Sequence, residues 1–137
     1  MNTIELIKLL KNDKYTRKVF CGVIPIDHLL HQKIKRPCSF VINTHESSLP
    51  GEHWFAIFIP KYGRYEYFDS YGLLPLNSNV YEFFEANKTK FIHNNFRLQA
   101  NDSTNCGKYC LFYIYMRSRG FTMKSILKFF SKEFNNE

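Results

Sequence analysis

The stretch HWFAIFIPKYGRYEYFD, His53 to Asp69, decides how this chain is read. Trp54 to Ile59 is an almost unbroken apolar run, the signature of a strand covered on both faces. Pro60-Lys61-Tyr62-Gly63 is turn chemistry. Arg64 to Phe68 then alternates polar with aromatic residues, as a second strand paired to the first would. The turn lies between Ile59 and Arg64, so residues near 53 and 69 fall close to opposite each other. The hairpin therefore brings a histidine at the mouth of one strand beside an aspartate at the end of its partner.

Around this hairpin the pattern is α+β. Asn2 to Leu10 reads as a helix, with Asn2 as its cap and Glu5 as the capping-box partner, and with a stripe of Ile4, Leu6, Ile7 and Leu10. Val19 to Pro25 is irregular or extended, and Asp27 caps a short turn through Leu30. Cys38 to Thr44 is rich in β-formers and gives the first good strand. Asn79 to Ala86 is helical, and Phe91 to Leu98 holds one or two short strands. Ala100 to Asn105 is a polar loop. Cys106 to Met116 is a helix apolar nearly all round, hence expected to be central, with Phe112, Tyr113 and Tyr115 in its core. Gly120 ends it. Thr122 caps a last helix to Phe130, with Ile126, Leu127, Phe129 and Phe130 on one face and Lys124, Lys128 and Lys132 on the other. The expectation is a small central sheet, mostly antiparallel or mixed, flanked by helices, with residues 1–137 forming a single domain.

Composition narrows the classes. The chain has 14 Phe and 9 Tyr among 137 residues, too aromatic for a disordered segment. No apolar run has the length of a membrane span. Met1 to Leu10 lacks the apolar block of a secretory signal, so an intracellular, non-secreted protein is expected. In a reducing compartment the four cysteines, Cys21, Cys38, Cys106 and Cys110, are expected as free thiols. No C-x-x-C pair exists, and metal binding is not expected. Cys21, Cys38 and Cys110 read as core thiols. The formal net charge of +7 allows a nucleic-acid partner.

A thiol needs an electropositive position, a base, and a group to hold that base before it attacks carbonyls. Cys106 stands where a polar loop enters a helix, whose N-terminus lowers a thiol pKa and offers N–H groups to an oxyanion. His53 is the natural base and Asp69 its orienting partner. Gln99, seven residues before Cys106, can supply a side-chain oxyanion donor. Gly107 lets the backbone come close to a substrate, and Trp54 is expected beside His53 in the same cleft. Taken singly, each of these residues has a plainer reading: core thiol, exposed histidine, turn aspartate. Together they form a nucleophile, base, orienter and oxyanion set.

Gly51-Glu52-His53-Trp54, Tyr67-Phe68-Asp69-Ser70-Tyr71-Gly72, Gln99, and Ser103-Thr104-Asn105-Cys106-Gly107-Lys108-Tyr109-Cys110 resemble the adenovirus protease (adenain) family. That family has relatives in Polinton/Maverick elements and virophages and, more distantly, among SUMO-specific (Ulp-like) proteases. Phe20-Cys21-Gly22-Val23 and Val41-Ile42-Asn43-Thr44 look like the Polinton-type members. The resemblance spans roughly residues 20 to 118. It implies a cysteine protease fold with the nucleophile opening a buried helix, His53 as base, Asp69 as its orienter, and Gln99 with the Cys106 N–H at the oxyanion. It further implies a cysteine endopeptidase that processes viral or transposon precursor proteins, capsid proteins among them, after glycine. Such an enzyme needs no cofactor for its chemistry, acts as a monomer on a protein substrate in the host cytoplasm or nucleus, and is packaged in the virion. Adenain is activated by a peptide and by DNA, so the same two activators are implied. This chain, however, has no cysteine midway between Asp69 and Cys106 to tether a peptide. The alternatives are a SUMO or ubiquitin-like isopeptidase, and a non-enzymatic nucleic-acid-binding protein on a protease fold.

Overall fold

A computed structural model describes residues 3–44, 53–75, 77–94 and 106–135. In chain order the elements are α1 (Thr3–Asn12), β1 (Phe20–Pro25), a 3-10 turn (Ile26–His31), β2 (Cys38–Asn43), β3 (Trp54–Ile59), β4 (Tyr65–Phe68), α2 (Ser78–Ala86), β5 (Phe91–His93), α3 (Cys106–Ser118) and α4 (Met123–Asn135). The strands form one five-stranded sheet in the order β1-β2-β3-β4-β5. The inner pairings β2–β3 and β3–β4 are antiparallel, while the outer β1–β2 and β4–β5 are parallel. The expected mixed sheet between helices is therefore what the chain builds.

Strand alternation sorts the core into two halves. Cys38, Phe40 and Ile42 of β2, Phe55, Ile57 and Ile59 of β3, and Tyr65 and Tyr67 of β4 point to the face covered by the 3-10 turn and α2. Val41, Ala56, Phe58 and Phe68 point to the other face, where α1, α3 and α4 pack through Leu6, Leu10, Leu111, Tyr113 and Ile126. That double cover is why β3 reads as continuous apolar sequence.

Glu66 lies on the helix-covered face of β4 yet is only 4% exposed. It is retained because Arg117 of α3 meets it with two hydrogen bonds, at 2.8 and 2.7 Å, and the Tyr113 hydroxyl donates a third at 2.5 Å. Burial and the neighbouring Glu66 charge push the Tyr113 hydroxyl well above its usual pKa, keeping it a donor. Phe68 stacks on the Tyr113 ring at 4.4 Å. Together these contacts fix the C-terminal half of α3 to β4.

The helix faces differ from the sequence reading in places. Ile4 is 66% exposed, while Leu6 and Leu10 carry the α1 contact. Phe112 is exposed: α3 lies on one face of the sheet, so only its inner side, through Cys110, Leu111, Tyr113 and Ile114, is buried. Phe129 is exposed because, at 3.6 residues per turn, it sits about 100° round α4 from the middle of the Ile126, Leu127 and Phe130 stripe. Cys21 is exposed on the outer strand β1, at the irregularity between Phe20 and Val23, rather than in the core; Cys38 is buried as expected. Thr122 does cap α4, its hydroxyl accepting from Ser125 N at 3.2 Å. Gly120, at φ 92°, ends α3 in the left-handed conformation that favours glycine. The expected Asn2 cap lies outside the described residues.

Replacing Glu66 with Ala strands the Arg117 guanidinium and should cost about 3 kcal/mol. Tyr113→Phe, which removes one hydroxyl, should cost about 1 kcal/mol. Guanidinium unfolding of both variants checks the order.

Candidate functional site

The hairpin delivers its two polar ends to one place. The β3–β4 register pairs Ala56 with Phe68 and Ile57 with Tyr67. Carried past the last ladder pair, that register sets His53 across from Tyr71 and makes Asp69 its diagonal neighbour. Both contacts are made. The rings of His53 and Tyr71 lie 5.0 Å apart, and His53 Nε2 donates to Asp69 Oδ2 at 2.8 Å. The sequence spacing alone thus predicts the pair.

Asp69 is held more firmly than its sequence suggests. Its other carboxylate oxygen accepts from Tyr71 N at 2.8 Å, an Asx turn that closes the strand end. Its backbone is clamped by the buried Asn94: Asp69 N donates to Asn94 Oδ1 at 2.9 Å, and Asn94 Nδ2 donates to Asp69 O at 2.5 Å. Asn94 directly follows β5, so the last strand of the sheet fixes the orienting carboxylate. The sequence reading misses Asn94. Its only signal is a polar residue next to the strand beginning at Phe91.

Cys106 is the first residue of α3, as expected, and is 7% exposed. With Nε2 of His53 committed to Asp69, Nδ1 is left for the thiol, and the two side chains hydrogen bond. Burial by itself would raise the Cys106 pKa. The His53 hydrogen bond and charge, with the backbone N–H groups of Trp54 and Gly107, outweigh burial and bring it below the ordinary thiol value. Burial would likewise favour a neutral His53, but the hydrogen bonds and negative charges of Asp69 and Cys106 outweigh it and push the imidazole up to about 9. The site thus pairs an imidazole raised toward its charged form with a thiol shifted toward the thiolate, with a helix N-terminus beneath the sulfur.

Trp54 ties this pair together through its backbone. Its N–H reaches the Cys106 sulfur, and its carbonyl accepts from the Cys110 thiol at 3.4 Å. Cys110 is fully buried, and burial holds its pKa well above the ordinary value, so it stays a neutral donor. The Trp54 indole rests on Gly107: a Cβ there would fall 2.8 Å from Trp54 Cε3. Here it is the Trp54 ring that comes close to Gly107 and calls for glycine. Gln99 lies outside the described residues.

The fold and site together define a sheet-based thiol hydrolase geometry with the order His, Asp, Cys. Known proteins with the same outline exist. A cysteine protease of African swine fever virus, from a Malawian tick isolate, is 30% identical over a 131-residue alignment that covers 85% of this chain and 44% of the relative. A protein named SUMO-1 cysteine protease, from a South African tick isolate of the same virus, matches with the same identity and coverage. The chain thus spans less than half the length of these relatives. A crystal structure of the African swine fever virus protease superposes with a TM-score of 0.61 at 22% identity, covering 92% of this chain and 61% of that one, and shares its fold. No family model matches the chain.

Iodoacetamide should therefore modify Cys106 along a pH profile whose midpoint lies below that of an ordinary thiol. In His53→Ala the rise should move to higher pH, as measured by mass spectrometry of the Cys106 peptide across a pH series. Unchanged profiles would mean that His53 does not activate the thiol. Gly107→Ala, which drives Trp54 off the start of α3, should slow Cys106 labelling at neutral pH about tenfold.

Proposed function

We propose that this chain carries the catalytic machinery of a cysteine endopeptidase that cuts precursor proteins of a virus or transposon, after glycine. The observation that carries this reading is the Cys106–His53–Asp69 alignment, with the sulfur at a helix start and its pKa lowered. Similarity to viral cysteine proteases supports it.

The chemistry follows from the geometry. The Cys106 thiolate adds to the scissile carbonyl carbon. The resulting oxyanion lies over the N-terminus of α3, where the Cys106 N–H and, in this proposal, the Gln99 amide receive it. As the C–N bond breaks, His53 gives its proton to the departing amine and leaves a Cys106 thioester. His53, now neutral, takes a proton from water, which attacks the thioester and frees Cys106. Asp69 keeps the ring aimed and stabilises its charged form throughout.

An isopeptidase acting on a SUMO-like tail is the second reading, favoured by the name of the South African relative. It uses the same three residues. Activation by DNA or by a peptide, a monomeric state, nucleic-acid contact through the +7 surface, and action inside the host cell or virion belong to the same proposal.

Cys106→Ala should abolish cleavage of a peptide library read by mass spectrometry, with and without added DNA. Asp69→Asn should lower kcat at least about 100-fold, since the ring loses both its aim and its charge partner. Cleavage that survives Cys106→Ala would refute the nucleophile. Labelling by a SUMO-derived electrophile in place of peptide cleavage would select the isopeptidase.

A further inference from the structure

A cavity of about 360 Å³ opens beside His53 and Asp69, on the sheet face that carries Phe55 and Tyr67 and not the face covered by α3. Its inner wall is Phe55, Tyr67 and Val80, all buried, and its lip includes Leu73 and Leu74, which are 48% and 51% exposed. Among the described residues, His53 and Asp69 border it, whereas Cys106, Trp54 and Gly107 do not. The volume is at the low end of ligand sites, room for one large side chain rather than a folded partner.

We propose that this cavity is the subsite for the leaving half of the substrate, and that it takes an aliphatic or aromatic side chain directly after the scissile bond. The inference rests on the peptidase reading above and names its specificity.

The assignment to the leaving half comes from proton bookkeeping. In acyl transfer the acyl half stays bonded to the Cys106 sulfur, and the leaving amine takes its proton from His53. The two halves must therefore part between the sulfur and the imidazole. A cavity walled by the His53–Asp69 arm, on the sheet face away from α3, receives the half that His53 protonates.

The side-chain class comes from the lining. Among the described lining residues the charged groups, His53 and Asp69, are already paired with each other, and the other polar ones, Thr44 and Asn77, are neutral. Among these described residues a charged substrate side chain would lose its water and find no free charge to pair with, which is costly. An apolar side chain instead covers Phe55, Tyr67 and Leu74 and loses nothing. Single exposed leucines are ordinary on any surface. Two adjacent ones, at the lip of an apolar cavity beside a reactive pair, are the arrangement of a recognition site.

The test uses internally quenched peptides with a randomised acyl half ending in glycine and one varied residue after it, alongside peptidyl-glycine methyl esters, whose leaving group has no side chain. The wild-type chain should hydrolyse the methyl esters, and should cut peptides with Leu, Met or Phe after glycine at least tenfold better in kcat/KM than those with Asp or Glu. Leu74→Asp should bring that ratio to one or below, and Leu74→Met should restore it. Methyl-ester hydrolysis with no preference after glycine, or with a preference that Leu74→Asp leaves intact, would overturn this subsite and leave the peptidase reading standing. Failure to hydrolyse the methyl esters, with Cys106 unreactive, would remove both.

Discussion

The antiparallel pairing of Trp54–Ile59 with Tyr65–Phe68 is the constraint on which everything else depends. It places His53 and Asp69 as diagonal neighbours, and its apolar residues supply both halves of the core. A shift of one residue in that ladder would turn Ala56 and Phe58 to the wrong face and part the imidazole from its carboxylate. Site geometry and core burial are thus enforced by the same pairing, so the reactive pair is as well determined as the hydrophobic interior.

The nucleophile is aimed by a second use of that hairpin. Helix α3 is pinned to it at both ends. Near the C-terminus, Arg117 and Tyr113 hold Glu66 of β4. At the N-terminus, Cys110 donates to the Trp54 carbonyl, and Gly107 lets the Trp54 ring lie flat against the first turn. The helix start, with Cys106 on it, has little freedom to move relative to His53. Such pre-organisation is what a reaction needs when it depends on proton transfer over one hydrogen bond. Asn94 extends the same logic to the fifth strand by holding the Asp69 backbone from both sides.

Much of this is legible in the amino-acid sequence. Thr3–Asn12, Cys38–Asn43, Trp54–Ile59 and Ser78–Ala86 follow their apolar periods and caps, because local pattern and tertiary burial agree there. The His53–Asp69 pair is legible from turn position alone. What is not legible depends on neighbours distant in sequence. Whether Phe112 and Phe129 are buried depends on how much of each helix the sheet covers. Cys21 is exposed because β1 runs at the sheet edge through an irregular stretch. The Asn94 clamp, and the Trp54 ring that demands glycine at 107, join segments many residues apart, and no local pattern announces them. Glu66 looks like the polar half of an alternating strand; only Arg117, 51 positions later, explains its burial.

At the centre of the molecule's chemistry, the hairpin and α3 raise the His53 pKa and lower that of the Cys106 thiol, each group favouring the charged form of the other. NMR titration of the His53 ring nitrogens, compared with the Cys106→Ala variant, tests this directly. The expected result is that His53 stays protonated through neutral pH and titrates near 9, and that its pKa falls when Cys106 is removed. A His53 that titrates near its ordinary value of 6.5, unmoved by loss of the thiol, would contradict it.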